Sequence, residues 1–145
     1  MVSKKDLLCL HTVFIMVRLT PQNEDNVRVL KLAEEYLLFG KSVSSLSELI
    51  DSLPCIDCEK WKFEALCEHY TDYPEVSFDS DVIFPLANSI AFLRKSLEQG
   101  DYQTAEKTAD DLHNIPTDLI KADEKKQKKI FIKLAKYNII QLKRQ

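Results

Sequence analysis

Residues 81–116 read DVIFPLANSIAFLRKSLEQGDYQTAEKTADDLHNIP, and this stretch decides the fold. In its first part Leu86, Ile90, Leu93 and Leu97 recur at i, i+4, i+7 and i+11. In its second, Tyr102, Ala105, Ala109 and Leu112 recur at i, i+3, i+7 and i+10. Both are helical periods, so each arm carries one apolar stripe. Gly100 suits the left-handed residue that ends a helix, and Asp101 offers a side chain that accepts N–H bonds at the start of the next. The expectation is a helical hairpin with almost no linker. Two helices cannot bury both stripes alone, so the flanking segments must pack on them.

Working outward, the composition agrees with an all-α fold. The chain has 145 residues, 45% hydrophobic and 30% charged, which is enough for one core and short for two, so residues 1–145 are expected to form one helical domain. It has only two glycines, and a fold of many short strands needs more turn glycines than that. Gly40 and Gly100 both fall where helices should end. About six helices are expected around the central hairpin.

Upstream, Leu7 to Leu19 (LLCLHTVFIMVRL) follows Lys4 and Lys5 and imitates a secretory leader. Asp6 interrupts the basic start, His11 and Thr12 interrupt the apolar run, and no small-x-small site follows. Roughly 20 residues are needed to span a bilayer, so no membrane role is expected. A buried helix is the first reading, a buried strand its rival, and the cytoplasm the expected compartment. Thr20-Pro21 then predicts a helix start, with the helix running to about Phe39 and closed by Gly40. Ser45 and Glu48 have capping-box spacing before a short helix that Pro54 ends. A further helix is expected from about Asp57 to Tyr70, and a loop from Thr71 to Ser80. Downstream, Pro116 breaks the chain, Asp118 to Ile120 form one turn, and Asp123 caps a last helix to about Lys143. Ile130, Leu134 and Tyr137 are its expected inward side, with Asn138 or Gln141 continuing it.

The charges are unevenly placed. Residues 121–145 contain nine Lys or Arg against Asp123 and Glu124, a net +7, and the rest of the chain is left at −10. The expected arrangement is a basic helix lying against its own acidic body. Nucleic-acid binding is not expected, because that body repels phosphate and no aromatic-interleaved basic platform is present.

From Glu64 to Asp81 there are six carboxylates and no Lys or Arg. Glu64, Glu68 and Asp72 follow i, i+4, i+8 along one side of the helix, away from Phe63, Cys67 and Tyr70, and the segment continues into Tyr73, Glu75 and Phe78. Aromatic rings beside carboxylates make the mixed surface on which protein partners dock. The candidate partner-binding residues are therefore Glu64, Glu68, Asp72, Tyr73, Glu75 and Phe78. The last helix has apolar residues on more than one face (Phe131, Ile132, Ile139, Ile140), which suggests a homodimer contact there.

Catalytic chemistry has one competing constellation. Glu106, Asp110 and His113 lie within about 60° on a helical wheel, and Asp-x-x-His is a spacing of helical metal ligands, so a metal-dependent helical enzyme is the alternative function, with His69 and Glu68 as further donors. They sit at the edge of the second arm's stripe, and His113 equally suits a helix C-terminus. Cys55-x-x-Cys58, Cys67 and His69 have zinc-ligand chemistry, but residues 67 and 69 of one helix point about 200° apart, so the cysteines are expected to be structural. There is no phosphate-binding glycine loop, nucleophile elbow or H-E-x-x-H. The spacing Leu97, Gly100, Tyr102, Ala105, Ala109 resembles a single unit of the tetratricopeptide kind over about a fifth of the chain, and no second copy extends it to an array. The preferred reading is a non-catalytic module without a cofactor that binds a protein partner or itself.

Overall fold

In the computed structural model, which describes residues 2–52, 56–75 and 80–144, every regular element is helical. Side chains are described at 2–50, 61–75 and 83–137. Seven α-helices run α1 Lys4–Leu19, α2 Asp25–Phe39, α3 Ile56–His69, α4 Ser80–Glu98, α5 Tyr102–Leu112, α6 Ile115–Lys121 and α7 Glu124–Arg144, with a 3-10 segment at Leu46–Ser52 before α3. No helix among the described residues is long and apolar enough to cross a membrane.

The hairpin forms as its spacing requires. Gly100 takes φ +74°, and the Asp101 carboxylate accepts the Thr104 N–H at 3.2 Å. Leu86, Ile90, Leu93 and Leu97 are buried, as are Ala105, Ala109 and Leu112. Tyr102 is 38% exposed, and Thr108 is buried instead. The first turn of α5 overhangs the core, so the stripe begins at Ala105. The two arms face different neighbours: α4 packs on α2 and α7, α5 on α1, and α4 also on α5.

α1 is the second axis. Of its residues, Leu7, Leu8, Leu10, Val13, Phe14, Met16 and Val17 are buried on more than one side, which a helix tolerates when it is surrounded. It packs on α3, the 3-10 segment, α5 and α6. Ser3 and Asp6 form a reciprocal capping box at its start. The helix reading of residues 7–19 thus holds, and the strand rival does not.

Four expectations need correction. Thr20 ends α1 rather than starting α2: its hydroxyl turns back to the Met16 carbonyl at 2.7 Å, and α2 begins at Asp25. The Ser45 hydroxyl pairs with that of Ser47 at 2.7 Å, so the capping box is absent and the short helix is 3-10. Pro116 does not break the chain, because proline is tolerated in the first turn and α6 runs through it. Among the described side chains of α7, Leu134 and Tyr137 are buried and Ile130 is half-buried against the core as expected, but Phe131 is buried with them. Elsewhere Gly40 closes α2 at φ +64°, and Asp123 caps α7 by accepting the Lys126 N–H at 2.9 Å. Pro54, Cys55 and Phe78 lie outside the described residues.

Candidate binding surface

Among the described residues α3 packs on α1 and the 3-10 segment alone, so much of its circumference faces outward. Phe63 and Tyr70 turn inward and are buried, which fixes the helix's rotation and sends Glu64 and Glu68 to the opposite side. Both are exposed, and Asp72, Tyr73 and Glu75 continue the exposed surface in the turn after the helix. That turn is held in place by α1. The Lys4 backbone N–H donates to the Glu75 carboxylate at 2.7 Å, and the Lys4 ammonium donates to the Tyr73 carbonyl at 2.8 Å. The Tyr70 and Tyr73 rings stand 5.2 Å apart. Glu75 therefore has a structural partner, whereas Glu64, Glu68 and Asp72 have no ion-pair or hydrogen-bonded side-chain partner among the described residues.

Trp61 belongs to this surface and was missed by the acidic-row pattern. It precedes Glu64 and Glu68 by three and seven residues, so at about 100° per residue it lies on their face. It is 71% exposed. Its register, and its being the chain's single tryptophan, were legible.

Two open grooves flank α3. One of about 460 Å³ includes Lys5, Phe63, Glu64, Cys67 and Glu68, so a cation from α1 stands at the edge of the acidic row. The other, of about 500 Å³, includes His11, Ile15, Trp61, Leu66 and His69. Cys67 and His69 thus face different grooves, as their 200° separation requires. Burial raises the Cys67 thiol above its usual range, so it is a poor thiolate, and the His69 ring stands edge-on to Tyr70 at 5.0 Å.

Glu106, Asp110 and His113 are not assembled as a metal site. Arg18 of α1 places its guanidinium 2.9 Å from the Asp110 carboxylate, a position a metal would need. His113 caps α5, with Nδ1 against the Asp110 carbonyl, and its own carbonyl contacts His11 Nδ1. Among the described residues no group of three or more His, Cys, Asp or Glu side chains is arranged to hold a metal ion.

The basic helix is not compensated as expected either. α7 packs on α4 and α6, and none of Lys125, Lys126, Lys128, Lys129 or Lys133 pairs with a carboxylate among the described residues. Fold and surface together define an all-helical chain with one acidic, tryptophan-bearing outer helix and one lysine-rich one. No family model, curated protein or solved structure matches it.

Proposed function

We propose that this chain is a non-catalytic protein-binding module whose docking surface is the outward face of α3 and the turn that follows it. The observation that carries this reading is the row of Glu64, Glu68 and Asp72, without an ion-pair partner among the described residues, beside a 71% exposed Trp61. An exposed indole leaves a large apolar area in water, and covering it is favourable at roughly 25 cal/mol per Å². Tryptophan ringed by polar groups is also the composition in which binding energy concentrates. The carboxylates select a partner that is basic or of mixed charge, chiefly through encounter rate and orientation. Tyr73, presented by the Lys4 clamp, extends the surface.

The test compares the chain with Glu68→Lys/Asp72→Lys, each immobilised and exposed to the same cell extract. The double variant is expected to lose its specifically captured proteins by at least about tenfold, a change of roughly 1.4 kcal/mol. Its circular-dichroism melt should be unchanged, because neither carboxylate has a described partner to lose. An unchanged captured set removes this surface from the function.

A further inference from the structure

α7 turns Phe131, Leu134 and Tyr137 into the core. On its opposite side Lys125, Lys128, Lys129, Ile132 and Lys136 fall within an arc of about 100°. All are exposed, and Ile132, near the middle of the arc, is 72% exposed. Lys136 holds its ammonium 5.1 Å from the centre of the Tyr137 ring, and the other three lysines have no partner among the described residues. α3 carries the opposite sign: an exposed apolar residue, Trp61, lies in an arc of about 60° with Glu64 and Glu68, and Asp72 follows in the turn after the helix. Each face carries an exposed apolar group that water hydrates poorly, and beside it charges of the sign the other lacks. Among the described residues α3 and α7 make no contact, so within one chain these two faces do not cover each other.

We propose that the α3 face docks on the α7 face of a second copy of this chain, the two copies closing as a dimer. This rests on the reading of α3 as the docking face and names its partner. The argument is charge complementarity between two faces that each expose one large apolar side chain. The indole covers Ile132 and the lysine stems, while the ammonium groups meet Glu64, Glu68 and Asp72 at the rim. Because every copy carries one face of each kind, a two-fold pair makes the contact twice, whereas a head-to-tail chain leaves a face open at each end. The end of α3 and the residues leading into α7 approach one another. Lys121, three residues before α7, holds its ammonium 5.5 Å from the centre of the ring of Tyr70, one residue past α3.

The experiment is sedimentation velocity on the purified full chain at about 100 µM, in salt of about 50 mM and about 500 mM, with Trp61 emission followed in parallel. The expected mass is about twice 16.8 kDa in low salt, falling toward 16.8 kDa in high salt, with a blue-shifted indole in the dimer. Glu64→Lys/Glu68→Lys alone and Lys125→Glu/Lys129→Glu alone are each expected to be monomeric. Mixed in equal amounts they should dimerise again, since one variant then carries two basic faces and the other two acidic ones. A wild-type monomer in low salt, a reversal variant that remains dimeric, or a mixture that remains monomeric overturns the proposal. If it fails while Glu68→Lys/Asp72→Lys still loses captured proteins, the partner is a different chain and the α3 reading survives. If captured proteins are also unaffected, both are withdrawn.

Discussion

The inner helices α1, α2 and α4 and the outer helices α3 and α7 treat their polar groups in opposite ways. Inside, Asp6 accepts from the Leu46 N–H at 2.9 Å and from the Ser3 N–H at 3.1 Å, and the Cys9 thiol donates to the Leu46 carbonyl at 2.8 Å. The Thr12, Ser89 and Ser96 hydroxyls donate to carbonyls of their own helices. Outside, Glu64, Glu68, Lys125, Lys128 and Lys129 stand without an ion-pair partner among the described residues. The difference follows from dielectric: a lone polar group costs several kcal/mol in a dry interior and little in water. Inner polar groups are therefore committed to the fold, and the fold does not depend on the outer ones.

The strongest way to break this contrast is at Glu34 and Arg94. Glu34 is 8% exposed and receives two bonds from Arg94, one through Nε and one through Nη2 at 3.0 Å, joining α2 to α4. Arg94 also donates to Glu98 at 2.7 Å, and the Glu34 bonds hold its guanidinium above its usual range. Glu34→Ala is expected to cost about 3 kcal/mol in urea unfolding, because the half-buried Arg94 loses two charge-assisted bonds across α2 and α4 and keeps only Glu98. Glu64→Ala, on the outer face, should fall within about 0.5 kcal/mol of wild type. Equal costs at the two positions would erase the distinction.

Asp6 should come next. Besides the bonds above, its carboxylate meets the Tyr36 hydroxyl at 3.4 Å, so one buried side chain ties α1, α2 and the 3-10 segment together. Asp6→Ala leaves the Leu46 and Ser3 donors unanswered and is expected to cost about 2–3 kcal/mol. Hydrogen exchange should localise part of the loss to the amide of Leu46. Protection there equal to wild type would mean the carboxylate is dispensable.

Neither residue could be recognised in this role from the sequence. Asp6 reads there only as an interruption of a basic start, since Leu46 and Tyr36 are 40 and 30 residues away, and Glu34 and Arg94 are separated by 60. What sequence does encode is local. The stripes of α4, Gly40 and Gly100 at positive φ, and the caps at Asp101 and Asp123 involve residues within one or two turns of each other. Thr20 shows the limit of local signals, for a hydroxyl before proline suits a helix start but here answers Met16 behind it. The candidate surface divides the same way. The acidic row was legible because i, i+4 places Glu64 and Glu68 together whatever packs behind them. The Glu106, Asp110, His113 grouping was legible as a spacing, but the ion pair of Asp110 with Arg18, 92 residues upstream, was not.

His11 lies on the seam between the two regions and sharpens the comparison most finely. It belongs to buried α1, yet its ring lines the groove beside Trp61 of α3. Burial lowers its pKa below the usual 6.5, opposed in part by the contact of Nδ1 with the His113 carbonyl. A carbonyl only accepts, so Nδ1 carries the proton and the neutral ring keeps Nε2 as an acceptor. The unfolded chain then binds a proton at His11 more readily than the folded one. Stability is therefore unaffected by this group above about pH 6.5, and it falls as the pH drops from there through the lowered value. Urea midpoints measured between about pH 7.5 and 5 should decline, and His11→Gln should flatten part of that decline while Glu64→Gln leaves it unchanged. This is the smallest of the expected effects, since one proton gives at most about 1.4 kcal/mol per pH unit and the ring is partly open to water. A decline that persists undiminished in His11→Gln would place the ring among the outer, uncommitted groups, and the boundary between the two regions would then run inside α1 rather than along the groove.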